Sequence, residues 1–493
     1  MEILTHLMQG FALLANWVPL LIIVVGVMLG ILVGVLPGLS PAMGVALLVP
    51  FSYGLDPLYG LILLVSVYAA ANYGGTITAI AINTPGTPSA IVSTFDGYPL
   101  TQQGKPGRAL GTSVVASTFG GFFGTIILIF FSVPLAKAAL SFGPAEYFAL
   151  AVFGLTIISS LSKGNYLKAF IATLIGLLLN TVGMDPFTGY LRFTFGIPEL
   201  SDGFSFIPAL IGLFALSEIF LSMEKSETVK KAIGSVSGKM PKVKELWGIK
   251  RAIAQSSVIG TLIGVVPGAG ATIAAFIAYN EAKRASKNKE EFGKGSIEGV
   301  AAAGASGSGS VGGALVPLLT LGIPGSAATA VLIGALMLHG ISPGPELFKE
   351  KTAIVYGLFA SLFIAYAAML ILGALGNQLW IKIIAAPKAI LNPAILAIAF
   401  IGSYSVGNSM FDVWACFGFG ILGWILRRYD FPTAPVILGL ILGFLAETNF
   451  RRALLMGDAR IFFTRPVSLI LLILAVLSFF MPFIRAFWQR KKS

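Results

Sequence analysis

One nine-residue stretch occurs twice in the sequence and decides how the chain is interpreted. Gly30-Ile-Leu-Val-Gly-Val-Leu-Pro-Gly38 matches Gly260-Thr-Leu-Ile-Gly-Val-Val-Pro-Gly268, 230 residues further on. The two copies lie in apolar stretches at residues 17–51 and 252–280, and a Pro-Gly pair interrupts each stretch. Because proline removes a backbone donor and glycine allows unusual dihedral angles, each pair predicts a break between two helices.

The composition indicates the medium in which these helices fold. Of the 493 residues, 56% are hydrophobic and 11% are charged, and the mean hydropathy is +0.89. Soluble domains carry about 25% charged residues, so a cytosolic enzyme, a disordered chain and a secreted disulfide-rich domain are excluded. One cysteine and two distant histidines predict neither a disulfide nor a metal site. Lys and Arg cluster between the apolar stretches, so the net charge of +12 indicates membrane orientation rather than nucleic-acid binding.

Eleven apolar stretches predict membrane spans, each of which needs roughly 20 residues. They are 58–95, 109–136, 145–161, 166–183, 205–222, 299–340, 353–379, 390–407, 410–426, 433–449 and 466–484. Asn83-Thr-Pro-Gly-Thr-Pro88 interrupts the first of them and Gly322-Ile-Pro-Gly325 interrupts the sixth. These two spans are therefore predicted to be broken helices.

The distribution of Lys and Arg orients the chain. Residues 223–251 and 281–294 are rich in both and are predicted to be cytoplasmic. Only residues 252–280 separate them, which predicts a re-entrant hairpin that enters and leaves on the same side. The flanks of 17–51 carry no Lys or Arg, so the same element is predicted to enter there from outside. This topology places four arginines outside, against the general rule: Arg451, Arg452, Arg460 and Arg465.

The chain is thus predicted to be an all-α polytopic membrane protein of about 11 transmembrane helices and two re-entrant helical hairpins, arranged as two inverted repeats with broken helices. The first repeat covers 1–222, with hairpin 17–51, broken helix 58–95 and four further helices. A cytoplasmic basic loop follows at 223–251. The second repeat covers 252–449, with hairpin 252–280, broken helix 299–340 and four further helices, and 450–493 form an extra helix and a basic tail. Inverted repeats with broken helices are typical of secondary transporters, although accidental similarity of Gly-rich sequence is the alternative.

The breaks carry the candidate site. A broken helix exposes N–H groups that suit a carboxylate and carbonyl groups that suit Na⁺. The predicted substrate-binding residues are Asn83, Thr84, Gly86, Thr87, Ser89, Gly325, Ser326 and Thr329. The predicted ion-binding residues are Pro37, Gly38, Ser40, Pro267, Gly268, Gly270 and Gly322. The alternative for each break is a kink that only shapes the bundle, but four breaks in two matching pairs favour a site.

At these motifs the sequence resembles the large membrane subunit of the tripartite tricarboxylate transporters (TctA-type). The most specific pieces are Gly34-Val-Leu-Pro-Gly-Leu-Ser-Pro41, Asn83-Thr-Pro-Gly-Thr-Pro88 and the segment from Gly313 to Ser326. The resemblance implies a bacterial inner-membrane permease for citrate or related carboxylates, coupled to Na⁺ or H⁺ and without a further cofactor. It also implies a small membrane subunit and a periplasmic solute-binding protein. In one departure, residues Ala301–Ser310 replace a run that in the family usually contains a carboxylate and two amides.

Two other classes of function are the alternatives. An intramembrane enzyme needs a nucleophile beside a base, or an acid pair, and His6, His339 and Cys416 supply neither. A channel, or a permease for another small anion that works without a binding protein, is separated from the leading hypothesis by saturable, ion-coupled uptake. Four acidic residues near span ends are predicted to lie at the membrane interface, with Asp412 the candidate for ion coupling: Glu146, Glu218, Asp412 and Glu447.

Overall fold

The computed structural model describes residues 2–36, 38–161, 166–224, 240–268, 270–384 and 388–490. Almost all of this part of the chain is helical. The helices are α1 (Glu2–Leu14), α2 (Trp17–Val35), α3 (Pro41–Tyr53), α4 (Pro57–Ile82), α5 (Ile91–Gln102), α6 (Pro106–Ala139), α7 (Pro144–Leu161), α8 (Tyr166–Asn180), α9 (Phe206–Ile211), α10 (Ser217–Glu224), α11 (Val243–Gly248), α12 (Lys250–Val265), α13 (Gly270–Ala285), α14 (Ile297–Leu321), α15 (Ala327–Leu338), α16 (Leu347–Glu350), α17 (Thr352–Ile384), α18 (Lys388–Gly407), α19 (Met410–Arg428), α20 (Ala434–Met456), α21 (Ile461–Thr464) and α22 (Pro466–Arg490).

Short elements connect some of these helices. A π-helical turn at Gly212–Leu216 joins α9 to α10, and 3₁₀ turns lie at Pro88–Ala90, Pro198–Asp202 and Lys289–Glu291. In the described ranges, the strands are β1 (Gly183–Met184) and β2 (Leu191–Arg192), which pair antiparallel. The structure is therefore that of an all-α polytopic membrane protein, as the sequence predicts.

Length and composition identify the helices that can cross a membrane. In the described ranges, seven helices are long and apolar enough: Trp17–Val35, Pro57–Ile82, Pro106–Ala139, Phe206–Glu224, Thr352–Gly376, Met410–Arg428 and Ala434–Met456. Seven other helices are apolar but shorter, among them α3, α7, α8 and α15. The number of eleven spans, the re-entrance of the hairpins and the inverted repeats stay predictions. Helix α2, the first helix of the first hairpin, is by itself long and apolar enough to cross a membrane.

All four predicted breaks separate two helices. The first hairpin consists of α2 and α3, with the break between Val35 and Pro41, and the second consists of α12 and α13, with the break between Val265 and Gly270. The first broken helix consists of α4 and α5, and the second of α14 and α15. Helix α1 was not expected from the sequence, which indicated only an external flank. It packs on α17, where the His6 and Tyr356 rings lie 5.2 Å apart.

The chain forms two compact units, each of which combines parts of both halves of the sequence. Unit 1 comprises Met1–Ala136 and Ser222–Ile398, and unit 2 comprises Lys137–Leu221 and Ala399–Ser493. All four breaks belong to unit 1. A division of the sequence at its middle therefore does not correspond to a division of the structure.

Small residues let the helices of unit 1 approach closely. Helix α2 packs along α4, and Gly30 lies against the backbone of Val67. Helix α12 packs along α14 in the same manner, with Gly260 against the backbone of Ser306. Such contacts bring backbones together because no side chain stands between them.

The second arm of each broken helix, α5 in the first and α15 in the second, packs against helices from the other half of the sequence. Helix α5 packs against α13 and α14, which belong to the second half of the sequence. Helix α15 packs against α3 and α4, which belong to the first half. Each broken helix therefore completes its packing on elements from the other half.

Contacts in unit 1 divide its loops between two ends. At the basic end, an Arg108 nitrogen lies 2.8 Å from a Glu245 oxygen, and Gln103 donates to the Lys294 carbonyl. At the opposite end, His339 lies within hydrogen-bond distance of Ser52. The breaks lie between these two ends.

Unit 2 shows a similar division, and its ion pairs include three of the four acidic residues predicted at span ends. At one end Arg427 pairs with Glu218. At the other end, Arg465 lies 3.0 Å from Glu146 and Arg451 lies 2.9 Å from Glu447. The fourth acidic residue, Asp412, is buried in the first turn of α19.

Candidate functional site

The first break begins where α4 ends in a left-handed residue. Asn83 has φ 56° and ψ 29°, and its N–H donates to the Thr78 carbonyl. The chain then turns back, so that the Gly86 N–H donates to the Gly75 carbonyl at 3.2 Å. A Cβ atom at Gly86 would overlap the carbonyl oxygen of Gly34, just before the first hairpin break. Gly86 is therefore held between α2 and α4.

The second break has the same local geometry. Helix α14 ends at Gly322, which is also left-handed, with φ 69° and ψ 20°. A Cβ atom at Gly325 would lie 2.7 Å from the Cα of Ala314. The Gly268 N–H of the second hairpin donates to the Gly325 carbonyl at 3.0 Å, which ties this break to the hairpin.

Ser326 and Thr329 begin helix α15 as a reciprocal cap. The Ser326 N–H donates to Thr329 Oγ1 at 2.7 Å, and the Thr329 N–H donates to Ser326 Oγ at 3.3 Å. This capping box satisfies donors that the start of a helix otherwise leaves open. Both hydroxyls can rotate to donate to another acceptor.

A row of hydrogen bonds connects the two breaks through helix α4. Thr87 Oγ1 lies 3.2 Å from Ser89 Oγ, which donates to Asn72 Oδ1 at 3.3 Å. The Asn72 amide donates to the Tyr68 carbonyl, and Tyr68 Oη lies 3.0 Å from Ser326 Oγ. We call these five residues the hydroxyl–amide row. All are neutral, and four of them are buried, with Ser326 half-buried.

The structure brings most of the predicted substrate-binding residues into or beside this row. Thr87, Ser89 and Ser326 belong to it, Thr329 touches it, and the remaining ones form the turns. Asn83, in contrast, is exposed, and Thr84 is half-buried. Sequence reasoning missed Tyr68 and Asn72. Their spacing of four residues, with both side chains polar in an apolar span, is a signal that could have drawn attention to them.

The predicted ion-binding residues that the structure describes lie at the breaks. Ser40 caps α3 by accepting the Met43 N–H, and Gly38 and Gly268 both have positive φ, of 95° and 80°. Pro37 lies outside the described residues, and Pro267, Gly270 and Gly322 are half-buried. In the described ranges no group of three or more His, Cys, Asp or Glu side chains could hold a metal ion. Their role in ion binding stays a prediction.

A buried carboxylate that the sequence analysis overlooked lies near the basic end of unit 1. Asp96, on α5, is fully buried. Its Oδ1 accepts the N–H groups of Gly293, Gly295 and Ser296 at 2.7–3.0 Å, and its Oδ2 accepts the Tyr279 hydroxyl at 2.8 Å. Because Ser296 is the residue before α14, the carboxylate also faces the positive end of that helix. Asp96 thus fixes the second arm of the first broken helix to the start of the second.

Comparison with known proteins shows which family the chain is similar to. The family model described as the tripartite tricarboxylate transporter TctA family matches residues 20–438. An Agrobacterium vitis protein, described as an uncharacterized 52.8 kDa protein in the TAR-I ttuC' 3'region, is 39% identical over 474 residues, which cover 96% of this chain and 94% of that protein. A second A. vitis protein, described as uncharacterized in the TAR-II ttuC' 3'region, is 40% identical over 232 residues, which cover 46% of this chain and 96% of that protein. No solved structure matches the chain.

Proposed function

The chain belongs to the tripartite tricarboxylate transporter TctA family, and on this premise we propose that it imports a tricarboxylate such as citrate, or a related carboxylate, across the bacterial inner membrane. The family is one of transporters, and the chain is a multi-pass membrane subunit of such a system. The substrate, the coupling ion and the bacterial inner membrane as its location are parts of the proposal.

The observation that supports a carboxylate site is the hydroxyl–amide row between the two breaks. A carboxylate needs several hydrogen-bond donors, and hydroxyl and amide groups supply them. The start of α15 adds the positive end of a helix dipole. The substrate is proposed to bind between Thr87 and Ser326, near the middle of unit 1.

The absence of charge from the row supports coupling to a cation. None of the predicted substrate-binding residues is charged. Burying an ionised carboxylate without a partner of opposite charge is strongly unfavourable. A cation that enters together with the substrate would offset this cost, and Na⁺ or H⁺ is proposed as that ion. The carbonyl groups around Gly38 and Gly268 are the proposed ligands of Na⁺.

Two partners complete the proposed system. Members of the family work with a small membrane subunit and a periplasmic binding protein. We propose that this chain receives its substrate from such a binding protein and forms the translocation path itself. The alternative is a channel, or a permease for another small anion that needs no binding protein.

Uptake of labelled citrate into vesicles tests the proposal. The vesicles contain this chain and its small subunit, and a purified binding protein is supplied outside, with and without a Na⁺ or H⁺ gradient. Saturable uptake that needs both the binding protein and a cation gradient is the expected result. Unsaturable uptake without a gradient would favour the channel, and uptake of other carboxylates but not citrate would change the substrate.

A further inference from the structure

Helices α4 and α14 differ at the position of Tyr68, the residue of the hydroxyl–amide row that contacts the second break. Thr84-Pro-Gly-Thr87 and Ile323-Pro-Gly-Ser326 lie 239 residues apart, and the same offset pairs Tyr68 with Gly307. On α4, Tyr68 reaches Ser326 of the opposite break. On α14, the corresponding residue has no side chain.

The space beside Gly307 is unfilled, although the residue is buried. A Cβ atom at Gly307 would meet no heavy atom within 4 Å. Neighbouring glycines of α14 are packed closely, since a Cβ atom at Gly304 would lie 2.9 Å from Ser117 Oγ and one at Gly309 would lie 3.1 Å from the Ser257 carbonyl. The gap at Gly307 is therefore local rather than a sign of loose packing along the helix.

Gly307 lies on a face of α14 that also carries residues near α5 and near the second break. Ala303, one turn earlier, belongs to the same packed core cluster as Val92 of α5, and Ala314 lies against Gly325 of the second break. Residues 303, 307 and 314 share one helix face, because spacings of four and eleven residues return to the same side. That face thus runs from the start of α5 to the second break, as the row does.

Helix α5 carries a further hydroxyl donor. Ser93 lies one turn after Ser89, and its hydroxyl is buried without a hydrogen-bond partner among the described residues. A buried hydroxyl without a partner is unfavourable unless a ligand or water accepts a hydrogen bond from it. Ser93 on α5 and Tyr68 on α4 are therefore the candidate donors to an acceptor beside Gly307.

We propose that Gly307 is a specificity-determining residue that keeps open the place of a substrate carboxylate, and that Tyr68, Asn72 and Ser93 are donors to that carboxylate. The inference rests on the proposed function and adds the residues that set the size and chemistry of the site. Gly307 admits the carboxylate because it has no side chain, and the neutral donors bind it without a fixed positive charge.

The substitution Gly307→Ala tests the size of the site. The unfilled space accommodates a methyl group, so the amount of inserted protein and its melting temperature should stay at the wild-type level. The KM for uptake should rise about tenfold or more, as expected when one strong hydrogen bond to a charged group is lost. The control is Gly418→Ala in α19, where a Cβ atom also meets nothing within 4 Å. Wild-type KM in Gly307→Ala, or failure of that variant to insert, would overturn the inference.

The substitution Tyr68→Phe tests the donor. It removes only the hydroxyl that faces Ser326, so the KM should rise while the maximal rate changes less. Tyr73→Phe is the matched control, because this residue is buried on the same helix but its ring lies against Gly373. If wild-type protein transports carboxylates and Tyr68→Phe has unchanged KM, the inference fails and the proposed function stands. If wild-type protein transports no carboxylate, both fail.

Discussion

Gly86 occupies a place where the backbones of two helices leave no room for a side chain. A Cβ atom there would overlap the Gly34 carbonyl and lie 2.9 Å from the Cα of Gly75. Because backbone atoms cannot rotate away, Gly86→Ala should lower the stability by about 1–3 kcal/mol and abolish uptake. Thermal unfolding in detergent and vesicle uptake measure the two effects. Gly54→Ala is the control, since a methyl group there meets nothing within 4 Å, and equal behaviour of the two variants would contradict this account.

Asn83 gives a separate test of the predicted binding residues. Its left-handed backbone is the conformation that glycine adopts without cost, and Gly322 has that role at the second break. Asn83→Gly should therefore leave the stability within about 1 kcal/mol of wild type. Loss of uptake at unchanged melting temperature would support a contact of the amide with substrate. Unchanged uptake would mean that the role of Asn83 is limited to ending helix α4.

Residues that break a helix were predictable, whereas residues that meet across the unit were not. Pro85, Gly86 and Gly325 act on the local backbone, so their effect is visible in the sequence itself. Tyr68 and Asn72 precede the first break by more than ten residues, and only the packing of α4 against the second break makes them neighbours of Ser326. A single sequence contains no signal for that distance.

At the scale of elements, Asp96 joins α5 to the start of α14. Asp96→Ala would leave three N–H groups and the Tyr279 hydroxyl without their acceptor, and each buried donor left so costs about 1–3 kcal/mol. We expect this variant to unfold at a lower temperature and to lose uptake.

Asp96→Asn is the matched variant for this element. Its amide oxygen can still accept the three N–H groups, so its melting temperature should lie between those of Asp96→Ala and wild type. Its uptake should be largely retained if the hydrogen bonds, rather than the charge, position α5. Equal loss in both variants would show that the negative charge itself is required.

The β1–β2 hairpin is fixed by a carboxylate whose state depends on pH. The Phe187 N–H, followed by the Thr188 N–H and by Arg451, lowers the pKa of Asp185 from 3.8 to about 2. A lowered pKa stabilises the folded state above the ordinary value, and the stabilisation is lost as the pH falls toward 2. A spin label at the exposed position 190 should have constant mobility between pH 7 and 5 and become more mobile below pH 4. Asp185→Asn should remove this dependence on pH. If the mobility of the label in that variant still changed with pH as it does in the wild type, this account would be contradicted.

Most helices in the predicted apolar stretches were located within a few residues, but elements outside them were missed. Apolar length identifies α6, α17 and α19 because a span must be continuous. The hairpin β1–β2 depends on Asp185, Arg192 and Arg451, which are 7 to 266 residues apart in sequence. Helix α1 looked like a flank because it is shorter than a span.

At the scale of the molecule, two of the four arginines that conflict with the topology rule lie in ion pairs. Arg451 and Arg465 are paired with Asp185 and Glu146, so much of their charge is neutralised where they lie. The rule counts Lys and Arg and gives little weight to Asp and Glu, so these ion pairs reduce the cost of the arginine charges without changing the count. The external position of residues 450–465 stays a prediction.

Labelling of single cysteines tests the orientation. The natural Cys416 is buried, which keeps its background reaction low. An impermeant maleimide added to spheroplasts should label Tyr190→Cys, and it should label Lys287→Cys only after the cells are opened. The side chains at both positions are exposed, so access depends on the membrane alone. The reverse pattern would invert the predicted topology.

The crossed arms α5 and α15 have a consequence for how the chain is made. Ribosomes complete α5 about 200 residues before α14 begins, which at about 5–20 residues per second corresponds to roughly 10–40 s. For most of this interval Asp96 has none of its partners, and a lone carboxylate within a membrane is costly. Unit 1 is finished only when residue 398 has emerged. The membrane-insertion machinery must therefore accommodate the incomplete transporter until the second half of the chain has been synthesised.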